Sequence, residues 1–143
     1  MRQIDCAHDR AYDEKRQADF YRAMTLLGWE RAELVVADRF FQRLLGMGAP
    51  VLRAKDVPFV LGFPGCRAVH TMLMGRRIDV VFIDASGGLI EVHEGVGGGR
   101  LLSCPGATAV LERWTPQQHR DQPGAPVRPA VGRGARGGLY IRV

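Results

Sequence analysis

Asp79 and Glu94 are the residues of this 143-residue chain whose types and spacing come nearest to a catalytic pair. They sit in two apolar runs, Asp79 to Asp84 and Leu89 to Glu94, joined by Ala85-Ser86-Gly87-Gly88, which reads as a β-hairpin with a four-residue loop. If Asp84 opposes Leu89, residues whose numbers sum to 173 face one another. Val81 and Ile83 then meet Val92 and Ile90, and Asp79 meets Glu94 at the open end of the same face. Opposed Cβ atoms are about 5 Å apart. Two carboxylates that close repel, so one keeps its proton and could serve as a general acid beside an ionised partner acting on a sugar or ester. A small hydrolase or lyase is the enzyme expected from that pair. The simpler and preferred expectation is that Arg76 or Arg77 neutralises Asp79 at the strand entrance while Glu94 points to solvent.

Upstream, Cys66 and His70 suggest a thiolate and imidazole dyad. On an extended strand, positions four apart are separated by roughly 13 Å, beyond the hydrogen-bond reach that a nucleophile and its base require. Cys66 is expected to be a small buried apolar residue instead. His70, Met72 and Met74 alternate along a predicted strand, and a soft cation such as copper(I) accepts imidazole and thioether ligands. Methionines at that spacing more often fill core gaps. The run Gly95-Val96-Gly97-Gly98-Gly99 has no following Lys-Ser/Thr and no amphipathic helix behind it, so it is not a phosphate loop. No cofactor is expected.

Several elements must position these residues. Glu33 to Val36 reads as a first strand, after which Asp38 could cap a helix through Phe40, Phe41, Leu44 and Leu45, ended by Gly46 and Gly48. Pro58 to Phe63, Val69 to Met74, Ile78 to Asp84, Leu89 to Glu94 and Ala107 to Glu112 follow as strands. About six strands with one or two helices, and no regular strand and helix alternation, predict an α+β, mainly β domain over residues 24–114. Residues 1–23 carry both signs of charge and read as a weak helix or a disordered arm, and translation beginning at Met24 is an expectation from that contrast. Residues 115–143 mix Pro, Gly and Arg with few large apolar side chains, which predicts a disordered tail up to Gly138, with Leu139 to Val143 as a potential edge strand.

Composition narrows the function classes. The formal charge is +5, but Arg120, Arg128, Arg133, Arg136 and Arg142 against Asp121 place +4 of it in the tail. Such a tail could bind nucleic acid by counterion release, although it lacks aromatics for base stacking apart from Tyr140, which makes a solvated tail the commoner role. Cys6, Cys66 and Cys104 are odd in number and widely spaced, which argues against a zinc site and fits a reducing compartment. The chain has no signal-peptide core and no apolar window of membrane-spanning length, so a soluble, cytoplasmic protein with no membrane span is expected.

In order along the chain, Glu33-Leu34-Val35-Val36-Ala37-Asp38, Arg43-Leu44-Leu45-Gly46-Met47, Cys66-Arg67-Ala68-Val69-His70-Thr71 with Met74, Ile78 to Asp84, and Pro105-Gly106-Ala107 leading to Val110-Leu111-Glu112 form a recognisable series. Through them, residues 33–113 or so resemble the prokaryotic family known as domain of unknown function 192. The resemblance implies a bacterial origin and a compact strand-rich domain, folded like a small, partly closed barrel with the helix of residues 39–45 against it. It implies no reaction. Many members of that family look exported or envelope-anchored, and the family usually ends in a Gly-rich turn and a final strand, where this chain runs from Trp114-Thr115-Pro116 into its Pro/Gly/Arg tail.

With no complete catalytic constellation in the sequence, the leading expectation is a non-enzymatic binding or accessory module. Its rim around His70, Thr71, Arg76 and Asp79 would hold a peptide, a sugar or a protein partner. The carboxylate-pair enzyme and a nucleic-acid-associated protein acting through the tail are the alternatives.

Overall fold

The computed structural model describes residues 6–37, 56–72, 74–116, 130–133 and 139–142. It has an α+β, mainly β architecture, with helix α1 (Cys6–Leu27) on one face of a mixed sheet and a two-stranded ribbon on the other. In chain order the strands are β1 (Glu33–Val36), β2 (Phe59–Pro64), β3 (Ala68–His70), β4 (Ile78–Ile83), β5 (Leu89–Val96), β6 (Leu101–Ser103), β7 (Ala109–Trp114), β8 (Ala130–Arg133) and β9 (Leu139–Arg142). The sheet order is β1-β2-β7-β4-β5-β9-β8, open at both edges, and β3 with β6 forms the ribbon. The described strands therefore do not close into a barrel.

β4 is buried at all six of its positions because both faces of the sheet are covered. Its two neighbours are β5 and β7, both antiparallel. Ile78, Val80 and Phe82 face the ribbon with Leu61, Phe63, Val69 and Val110, while Val81 and Ile83 face α1 with Val60, Val92 and Leu111. A continuous apolar run in the sequence is the mark of a strand covered on both sides, and β2 shows the same pattern.

The polar N-terminal segment is an integral part of this core. α1 extends from Cys6, and its Phe20, Ala23 and Met24 are buried against the sheet, so the domain begins well before Met24. Of the two expectations for this segment, a weak helix or a disordered arm, the helix is the one formed; its burial was hard to foresee because its buried apolar residues cluster in the last two turns, after a stretch rich in both signs of charge. It ends in paired capping bonds, Trp29 N–H to the Met24 carbonyl (2.8 Å) and Gly28 N–H to the Thr25 carbonyl (3.2 Å), which bring Trp29 onto the same core cluster as Met24. At the other contact, a Cβ on Gly62 of β2 would stand 3.1 Å from the Phe20 ring, so the ring lies directly on sheet backbone.

Other expectations fared differently. The strand expected over Val69 to Met74 stops at His70, and the segment Leu101–Ser103 pairs with it as β6. Within residues 115–143, read as a disordered tail, β8 and β9 are formed. β9 lies parallel to β5 through Glu91↔Ile141 and Val92↔Arg142, with β8 antiparallel outside it. The helix expected over residues 39–45 lies outside the described residues.

Phe20 fills the interface between α1 and the sheet without help from any other aromatic of the helix interior. Phe20→Ala should cost about 3–5 kcal/mol, read as a lowered denaturation midpoint; an unchanged midpoint would mean that α1 is not part of the cooperative unit.

Candidate functional site

Three segments meet at the end of the sheet where β4 begins: the β3–β4 loop (residues 71–77), the β5–β6 loop (97–100) and the residues at the end of β7. Two buried polar side chains organise them. Thr71 is fully buried, and its hydroxyl donates to the Gly97 carbonyl (2.7 Å) while accepting the Arg100 N–H (2.9 Å). Its backbone binds the same two loops, with Thr71 N–H donating to the Arg100 carbonyl and the Thr71 carbonyl receiving the N–H groups of Gly99 and Met74. These bonds end β3, because a chain turning back on itself at Thr71 cannot continue as a strand.

Asp79 is the second organiser and is 1% exposed. Its Oδ1 accepts the Gly95 N–H (2.9 Å) and the Thr115 hydroxyl (2.8 Å), and its Oδ2 accepts Arg113 Nε–H (2.9 Å). Arg113 is its direct neighbour across β4 and β7, and the guanidinium lies 4.0 Å over the Trp29 ring. A buried carboxylate is tolerable only when hydrogen-bonded and matched by an opposite charge, and both conditions are met here.

This geometry corrects the reading of the hairpin. The register summing to 173 holds at Val80↔His93, Val81↔Val92 and Phe82↔Glu91. It fails at both ends: at the turn Ile83 pairs with Leu89 and not with Ile90, Asp84 N–H donating to the Gly88 carbonyl, and at Ile78↔Val96 two residues of β4 stand against three of β5. The extra residue is accommodated at Gly95, whose φ of 66° favours glycine, as in a β-bulge. Asp79 therefore receives the Gly95 N–H, and Glu94 is exposed. The residue that neutralises Asp79 is Arg113, not Arg76 or Arg77. Those two are exposed: the Arg76 guanidinium stacks 4.7 Å over Trp114, and Arg77 donates to the Gly95 carbonyl (2.6 Å).

The remaining candidates separate. Cys66 is half-buried against the ribbon-side core and donates its thiol to the Ala68 carbonyl (3.0 Å), whereas His70 is exposed on the outer face of β3 beside Leu101. Met72 is 57% exposed, while Met74 packs on the core. The bend at Thr71 removes the alternation that would have put His70, Met72 and Met74 on one face. Among the described residues, no cluster of His, Cys, Asp and Glu is arranged to hold a metal. The tail arginines Arg120, Arg128 and Arg136 lie outside the described residues. No described helix is long and apolar enough to cross a membrane.

A buried polar group lies deeper, between the sheet and the ribbon. Glu112 of β7 is 2% exposed, lies between Leu61 and Val80, and its Oε2 has no hydrogen-bond partner among the described residues. Burial pushes its carboxyl up to about 8, so it is held neutral at physiological pH. Farther along the same row is His93, whose Nε2 is 2.9 Å from Glu91 Oε2. Cys104 sits near Glu91; burial raises the thiol's pKa, and the Glu91 charge adds to that shift, while N–H groups of Gly106 and Ala107 oppose it. A thiol so placed is a core residue and not a resting thiolate. The signal for Glu112 was present in the sequence: it is two residues after Val110 in an apolar run, hence on the same face, in a strand covered on both sides.

No family model, curated protein or solved structure matches the chain.

Two outcomes follow from these buried carboxyls. Asp79→Ala leaves Arg113 without its carboxylate and Gly95 and Thr115 without an acceptor, and should cost about 2–4 kcal/mol, with Asp79→Asn costing less; equal stability of all three proteins in urea would contradict the arrangement. For Glu112, the unfolded chain ionises in the ordinary carboxyl range while the fold keeps the proton to about pH 8. Stability is therefore fully present below the unfolded pKa and declines as pH rises to the folded one, at up to about 1.4 kcal/mol per pH unit. Glu112→Gln should remove that decline, matching the parent near pH 4 and exceeding it near pH 8. Parallel pH profiles for the two proteins would show that Glu112 is not held neutral.

Proposed function

We propose that the chain is a non-enzymatic binding or accessory module whose rim, formed by the 71–77 and 97–100 loops, holds an acidic segment of a peptide or protein partner. The observation that carries this reading is the division of labour at the rim. Its buried polar groups, Thr71 and Asp79, spend their hydrogen bonds on the loops themselves, and its outward side chains are cationic or apolar. Arg76, Arg77 and Arg100 are exposed there, with Met72 and Leu101 at 57% and 73% exposure and His70 alongside; Glu94 is the acid among them. Large exposed apolar side chains on the same loops and strand ends as exposed arginines suit a partner that offers carboxylates beside an apolar anchor. A sugar would be served by planar polar donors and acceptors, which the rim spends internally. The same division supports a role without chemistry, because the carboxylate best placed for acid or base work is committed to Arg113.

The resemblance to domain of unknown function 192 fits this reading, because its stretches Cys66 to Thr71 and Ile78 to Asp84 frame the loops that form the rim.

Affinity capture followed by direct titration tests the proposal. A partner recovered on the full chain should be lost with Arg76→Glu combined with Arg100→Glu, weakened at least tenfold by Met72→Asp, and weakened by raising salt from 50 to about 300 mM. Partner binding indifferent to all of these changes would place recognition elsewhere and end the rim proposal.

A further inference from the structure

At the opposite end of the sheet, where β4 finishes, a cleft of about 330 Å³ lies between α1 and the turns that follow β2 and β4. We propose that it binds a small organic anion with an apolar body, a carboxylate or a phosphate monoester, independently of the rim. Its size falls at the lower end of the range of small-molecule sites, about 300–1,000 Å³.

The cleft's walls are fixed. Gly65 N–H donates to the Thr108 carbonyl (2.8 Å) and Thr108 N–H to the Ile83 carbonyl (2.9 Å), which ties three strand ends together. The helix is seated on the hairpin turn at Gly87, where φ is 75° and a Cβ would come within 2.7 Å of the Asp19 carbonyl oxygen. A side chain there would lift α1 and open the cleft. The site is therefore formed before any ligand arrives, which lowers the ordering cost of binding.

Its chemistry is divided between floor and walls. Phe20, Ile83 and Ala109, all buried, supply an apolar floor. Lys15 and Arg16 project from α1, and Arg67 comes from the turn after β2. The Arg16 guanidinium is positioned by Tyr12, stacking 4.0 Å over its ring and donating to its hydroxyl (2.5 Å). Two acids also line the cleft, Asp19 and Asp84. Asp84 directs Oδ1 into the hairpin turn, where it accepts Ser86 N–H, the Ser86 hydroxyl and Gly88 N–H. Asp19 follows Lys15 at i,i+4 and can offset that one cation. Three cations against two acids leave the cleft one net positive charge, and Arg16 and Arg67 bring forked donors suited to a carboxylate or phosphate over an apolar floor that takes the body of the ligand.

Amide-resolved NMR titration of the full chain with phenyl phosphate, benzoate, inorganic phosphate and benzyl alcohol tests this. Saturable shifts at Gly65, Arg67, Ala85 and Thr108 are expected with phenyl phosphate or benzoate, and the tighter of the two identifies the headgroup. Arg67→Gln, at an exposed position, should weaken that binding at least tenfold, and Asp19→Asn should strengthen it. Benzyl alcohol binding as well as the aryl anions would overturn the need for charge, and inorganic phosphate binding as tightly as phenyl phosphate would overturn the role of the floor. Shifts confined to Arg76 and Arg100, or no saturable shift with either aryl anion, would overturn the site itself.

Discussion

A carboxylate placed where water does not reach must find both a counter-charge and enough donors, or the fold cannot hold it. Asp79 has this requirement, and meeting it joins four separate parts of the chain. Arg113 comes from β7, Gly95 from the bulge of β5, Thr115 from beyond β7, and Trp29, under the Arg113 guanidinium, from the end of α1. The central strand, its two neighbours and the helix are thereby locked in register at one end of the sheet. Thr71 does the same for the two loops in front of that end. What is left facing outwards is set by these two residues: because polar atoms inside are satisfied internally, the exposed surface is free to be arginine and apolar.

The interior has a second polar residue that is treated in the opposite way. Glu112 has no counter-charge among the described residues, and the fold accommodates it by keeping it neutral. Asp79 and Glu112 lie on opposite faces of the same sheet, one opposite Arg113 and the other opposite Val80. One buried carboxyl is matched by donors and an arginine, and the other is held by a raised pKa.

Much of the architecture was legible in the sequence because it is local. The hairpin and its central register at Val80 to Phe82 follow from alternation and turn residues, whereas the turn is one residue tighter than expected, with Asp84 bonded to Gly88 and Ile83 opposite Leu89. The error at Asp79 arose where locality ended: a single glycine at 95 with a positive φ shifts the pairing and sends Glu94 outward. Arg113 could not be chosen over Arg76 and Arg77 from sequence, since its claim rests on β4 pairing with β7 across 34 positions. Thr71 read as a rim residue, and the structure places it inside the rim, as the post that fixes both loops. The helix was obscured by its charged first half, and β8 and β9 by a composition that alone argues against order.

The account rests on the rim being a fixed platform, and hydrogen exchange of individual backbone amides tests that most directly. The N–H groups of Gly95, Gly99 and Arg100 are held by Asp79 and Thr71, so they should exchange as slowly as amides in the body of β5, despite lying in glycine-rich loops. Exchange at the rate of an unstructured chain at all three positions would contradict it, and would leave the arginines and apolar side chains of the rim without a frame.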